Sequence, residues 1–192
     1  MKKLGFLMLL LAIAVMLGGT ALAQGDNSDY FVTYFSNANT ANAPDATVRA
    51  VNDGDTENNL WASIYVFDDS EELTECCSCL ITPDGLLSES VNKNLTAAPL
   101  TGIKPQRGVI KIISSAVESD VNTNFQANQP TAGIRAWATH VQKLTAGFAV
   151  TETAFADANL ASSEEGLLEA LCLFDHRLSG HPCTCTPEDS DF

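Results

Sequence analysis

The chain has 192 residues, 45% of them hydrophobic, and 24 acidic against 10 basic side chains give a formal net charge of −14. Such a surplus argues against binding nucleic acid or an anionic membrane surface, which both attract basic patches. It does not make an acidic disordered chain either, because apolar and β-branched residues are plentiful.

The amino terminus reads as an export signal. Lys2 and Lys3 precede an apolar run from Leu4 to Leu17, and Ala21-Leu22-Ala23 offers the small-x-small step that signal peptidase cuts. The run is shorter than the roughly 20 residues that span a bilayer. Cleavage after residue 23 removes both lysines and leaves eight basic residues against 24 acidic ones, a net charge of −16. No cysteine follows the run to carry a lipid, no twin arginine precedes it, and no second apolar stretch lies downstream. The expected product is secreted or periplasmic and bacterial, without membrane insertion after processing.

From Tyr30 the mature chain reads as β-structure. Tyr30 to Phe35 is dense in aromatic and β-branched residues, Thr47 to Val51 alternates, and Asn52-Asp53-Gly54-Asp55 signals a turn. Leu60 to Phe67 is apolar on both faces, as in a strand buried in mid-sheet. Thr74 to Thr82, Pro83-Asp84-Gly85 and Leu86 to Val91 suggest a hairpin, with glycine supplying the positive φ. Further strands are expected over Gly108 to Ser114, Ile134 to Thr139 and Phe148 to Phe155. One helix is expected at about 163–175: Ser162 and Glu165 have capping-box spacing, and Leu167, Leu168, Leu171 and Phe174 fall on one face. Gly180 and Pro182 end it, and 186–192 form an acidic tail. The predicted fold is mainly β: an antiparallel two-sheet sandwich, Ig-like or jelly-roll-like, with one C-terminal helix, stapled by disulfides. Residues 24–185 are read as a single domain.

The six cysteines fall in two triplets, Cys76, Cys77 and Cys79, then Cys172, Cys183 and Cys185. In an exported chain this predicts three disulfides. On an extended strand Cys77 and Cys79 point one way and Cys76 the other, so bonds inside a triplet are strained and bonds between triplets are preferred. At least two such bonds are expected. The alternative is a zinc or copper site, because Cys172, His176, His181, Cys183 and Cys185 place five soft ligands within 14 residues. Their spacing matches no standard finger or ribbon, and C-x-x-C is absent.

Other candidates have plainer readings. His140 shares a strand face with Ala136 and Ala138, as a catalytic base or as a core histidine. The carboxylates of Asp53, Asp55 and Glu57, and of Asp68, Asp69, Glu71, Glu72 and Glu75, are expected in solvated loops, ionised and without the Ca²⁺ loop order. No nucleophile elbow, HExxH, P-loop or dinucleotide fingerprint occurs, and no cofactor is expected.

The segments Ile64-Tyr65-Val66-Phe67-Asp68, Glu75-Cys76-Cys77-Ser78-Cys79, Thr82-Pro83-Asp84-Gly85 and Gly108-Val109-Ile110-Lys111-Ile112 resemble those of an uncharacterised family of secreted, cysteine-containing bacterial proteins. The resemblance implies export and cysteine stapling, and no activity. The expected function is non-catalytic surface recognition or assembly, with a protein or glycan partner or self-assembly through the Tyr30 to Phe35 strand. The alternative is a small secreted hydrolase or metal-handling protein using His140 or the His176, His181 and cysteine cluster.

Overall fold

A computed structural model describes residues 27–119 and 126–179 together with Cys183 and Cys185. The expected leader, His181 and the acidic tail lie outside the described residues.

Two antiparallel sheets face each other. The first has the order β4-β3-β6-β1-β9, from β1 (Tyr30–Ser36), β3 (Leu60–Asp68), β4 (Leu73–Ile81), β6 (Arg107–Ser115) and the two-residue β9 (Ala156–Asp157). The second has the order β5-β2-β7-β8, from β2 (Thr47–Asn52), β5 (Leu86–Ser90), β7 (Ile134–Lys143) and β8 (Phe148–Ala154). Strand alternation sends Phe31, Phe35, Ala62, Ile64, Val66, Ile110 and Ile112 inward from the first sheet, against Val48, Ala50, Leu87, Ala136 and Ala138 from the second. Helix α1 (Ser162–Ser179) forms a third layer on the outer face of the first sheet, where Leu168 and Cys172 bury against Tyr30, Tyr65, Leu73, Cys76 and Ile113.

Gly108 explains how β6 fits between its neighbours. A Cβ there would lie 1.9 Å from the Phe67 carbonyl oxygen and 2.8 Å from the Phe35 ring, so only glycine permits this approach.

Two sequence expectations are corrected. Thr74 to Val91 is not a hairpin: β4 pairs with β3 and β5 with β2, so the Pro83-Asp84-Gly85 turn carries the chain from one sheet to the other. Within that turn Gly85 N–H donates to Thr82 O at 2.8 Å, and Asp84 rather than glycine takes the positive φ of 62°. The true hairpin is β3–β4, closed by the acidic loop, where Asp68 Oδ1 accepts the amides of Ser70 (2.8 Å) and Glu72 (3.1 Å).

The helix begins at Ser162 and runs to Ser179, longer than its capping spacing implied; Ala161 O accepts the amides of Glu164 and Glu165. Its buried face holds Leu168, Cys172 and Asp175, while Leu167 and Phe174 are 52% and 57% exposed. The Cys76–Cys172 bond fixes the rotation of the helix and turns part of the leucine stripe to solvent. Lastly, β1 lies between β6 and β9, pairing with β6 along its whole length and with β9 at Phe31 and Val32, so it is an inner strand of its own sheet there.

Candidate functional site

The cysteines organise the third layer. Cys76 is bonded to Cys172, Cys77 to Cys183 and Cys79 to Cys185, so every bond joins one triplet to the other. Because alternate residues of β4 leave on opposite faces, Cys76 holds α1 on the outer side while Cys77 and Cys183 sit in the inter-sheet core. The Cys77 and Cys79 sulfurs lie 3.9 Å apart, which stacks their two bonds side by side. The four described members of the expected five-ligand cluster are thus divided by the sheet. Cys172 and His176 are on the helix side, and Cys183 and Cys185 join the inward-facing cysteines of β4. His176 comes within 4.8 Å of the Cys76 and Cys172 sulfurs, but those sulfurs are bonded to each other.

Polar contacts dock the rest of the helix. At its amino end Glu164 Oε1 accepts from Lys111 Nζ at 2.5 Å and from the Tyr30 hydroxyl at 3.1 Å. The lysine hydrogen bond holds the Glu164 carboxyl below the usual carboxylate range, against the opposing effect of burial. Lys111 also lies 4.9 Å from the centroid of the Phe67 ring. Midway, Glu169 Oε1 accepts from Asn128 N at 2.6 Å and from Asn128 Nδ2 at 3.2 Å. Asn128 reaches further down: its Nδ2 donates to the Tyr65 hydroxyl at 3.0 Å, and its Oδ1 accepts from Ser63 Oγ at 2.7 Å. Burial pushes the Tyr65 phenol up to about 12.

Glu75 contradicts the solvated-loop reading. It lies in β4, fully buried, with Oε1 accepting from Ala98 N at 2.5 Å and Oε2 without a described hydrogen-bond partner. Burial pushes its carboxyl up to about 7; the Ala98 amide opposes this, the buried Asp175 carboxylate adds to it, and Lys104 weakly opposes it. Period-two alternation already placed Glu75 with Cys77, Cys79 and Ile81, and that spacing was the available signal. The Asn128 network joins positions 63, 65, 128 and 169, and nothing in local sequence links them.

His140 is 2% exposed in β7, stacked on Tyr34 at 4.3 Å between centroids, with Nε2 2.7 Å from Thr153 Oγ1. Burial holds its imidazole below the ordinary histidine value, with a smaller opposing effect from the Tyr34 backbone. Such enclosure gives a substrate no approach to the ring. Asp53 pairs with Arg135 at 3.4 Å.

A largely apolar groove of about 300 Å³ lies between α1 and the first sheet, lined by Phe67, Val109, Lys111, Leu167 and Leu171 together with the acidic Asp68, Glu71 and Glu164. Leu167, Phe174 and the 59% exposed Leu178 continue it along the helix at positions i, i+7 and i+11. Leu171 fills the i+4 place and is partly buried, which gives a seam with the period of helix–helix packing. Among the described residues no helix is long and apolar enough to cross a membrane. No family model, curated protein or solved structure matches the chain.

Proposed function

We propose that the protein is an exported, non-catalytic recognition module, and that the seam of α1 with its groove receives an amphipathic, basic helix of a protein partner. The observation that carries this reading is the apolar row Leu167, Leu171, Phe174 and Leu178. Leu167, Phe174 and Leu178 of this row are exposed, Leu171 is partly buried, and the row borders the groove at Phe67 and Val109. Apolar anchors at helical spacing are how a groove reads a helix. The acidic lining residues Asp68 and Glu71, in a chain of net charge −14, select a cationic flank for that helix. Three disulfides fit an oxidising compartment outside the cytoplasm and keep the third layer in place there.

Titration calorimetry with a synthetic Leu/Lys amphipathic peptide tests the reading. The wild-type protein is expected to bind it, and a Leu/Glu peptide of the same pattern is not. The double variant Leu167→Glu, Phe174→Glu should weaken binding more than tenfold, about 1.4 kcal/mol or more. Both side chains are exposed, so its thermal midpoint should hardly move. Equal binding of the two peptides, or of the variant, would sink the proposal.

A further inference from the structure

Among the described residues the sandwich presents four edge strands, of which one is covered and two are short. The edge of β4 is covered by Cys183, whose N–H donates to Cys76 O at 3.3 Å, and by Leu100, whose N–H donates to Thr74 O at 3.3 Å. β9 has two residues. β5 has five and runs directly into a π-helical turn, Val91–Leu95, whose Asn94 Oδ1 accepts the Ser90 amide at 3.0 Å. β8 differs from all three. It has seven residues, Phe148 to Ala154, in unbroken register with β7 and without proline or bulge, and no described strand pairs with its outer side. In an antiparallel edge, alternate residues direct both N–H and C=O outward, and proteins ordinarily blunt such a template with charge, proline or a bulge.

We propose that β8 is an interface for a second copy of this chain, paired antiparallel with its own symmetry mate about a twofold axis at Thr151. The two four-stranded sheets then join edge to edge, and the contact is self-complementary, as a closed dimer requires. The cross-strand partners follow from the sequence. Thr151 opposes Thr151 of the second copy, Val150 opposes Glu152, Ala149 opposes Thr153, and Phe148 opposes Ala154. No like charges face each other. Glu152 is the strand's one charge and is already paired with Arg49 at 3.3 Å within its own sheet. In a molecule of net charge −14, β8 thus sets no like charges directly opposite, and the two Glu152 carboxylates, diagonal across the axis, are each held by their own Arg49. A paired edge also removes the 49% exposed Val150 from water.

Sedimentation of the full oxidised protein, from about 10 μM to about 1 mM, tests this at low and high NaCl. A monomer–dimer equilibrium is expected, tighter at high salt because the net charges repel. Two lysine variants read the register. Thr151→Lys sets like charges directly opposite across the axis and should weaken the dimer about tenfold. Val150→Lys faces Glu152 of the second copy and should keep or tighten the dimer at low salt. Both positions are exposed, and native disulfide maps with unchanged circular dichroism would verify folding of each variant. A monomer at every concentration and salt, or equal effects of the two lysines, overturns the proposal. These readouts do not involve the helix seam, so they stand or fall separately from peptide binding.

Discussion

Cys76 and Cys77 are adjacent in β4, and their bonds run to opposite sides of the same sheet. Cys76 meets Cys172 beneath the helix, whereas Cys77 meets Cys183 in the core between the sheets. The two bonds therefore grip β4 from both faces, and Cys183 N–H donates to Cys76 O at the strand's edge. Non-reducing peptide mapping should find 76–172, 77–183 and 79–185 with no free thiol.

The Cys76→Ser, Cys172→Ser double variant should keep the sandwich and lose the third layer. Helix α1 then depends on Leu168 and its polar contacts, and short helices in water need tertiary packing. The expected loss is about 2 to 5 kcal/mol. Hydrogen exchange should rise in α1 well before it rises in β3 or β6.

Glu75 should make stability fall as pH rises. Its carboxyl is held up at about 7 in the folded chain, against an ordinary value of 4.5. Between these values the folded state keeps a proton that the unfolded chain has released, so stability is fully present below about 4.5. It declines through the interval and levels off above about 7. Denaturant melts at acid and neutral pH should differ by about 2 kcal/mol from this group, allowing for solvent screening. Glu75→Gln should flatten the profile; an unchanged profile would refute the assignment.

Asn128→Ala removes the joint between strand and helix. It removes the side-chain bonds to Tyr65, Ser63 and Glu169, although the backbone amide of residue 128 still reaches Glu169 and Ser63 keeps Ser78 and Ser119, and weakening such a buried polar network costs about 1 to 3 kcal/mol. Tyr65→Phe should cost less, about 1 kcal/mol, because Asn128 keeps its bonds to Ser63 and Glu169. Urea midpoints of the two variants give the comparison.

Gly108→Ala should be among the most damaging single changes. The added methyl meets a backbone carbonyl, which cannot rotate aside, so β6 must separate from β3. The expected loss is about 4 kcal/mol or more, seen as low soluble yield or an early thermal transition.

Strand alternation made the eight longer strands and the opposed faces of Cys76 and Cys77 readable from the sequence. It did not reveal which sheet each strand enters. A Pro83-Asp84-Gly85 turn has similar local geometry whether it closes a hairpin or crosses between sheets, so β4–β5 reads as a hairpin from sequence and the acidic turn Asp68 to Glu72 reads as a plain loop. Helical periodicity grouped Leu167 and Phe174 with Leu168, because an apolar stripe says nothing about the rotation that a disulfide imposes. Glu75 stands beside acidic neighbours in sequence and so reads as one of a solvated loop, although the pleat puts it with the cysteines.

The bonds span 96, 106 and 106 residues, so the second triplet is synthesised about a hundred residues after the first. Until then Cys76, Cys77 and Cys79 wait as thiols along one strand, where the nearest available partners are each other. Strand pairing takes milliseconds to seconds, whereas disulfide formation and reshuffling take seconds to hours. Refolding of the reduced chain is therefore expected to follow the oxidant supplied, rather than the chain's search for its strand partners.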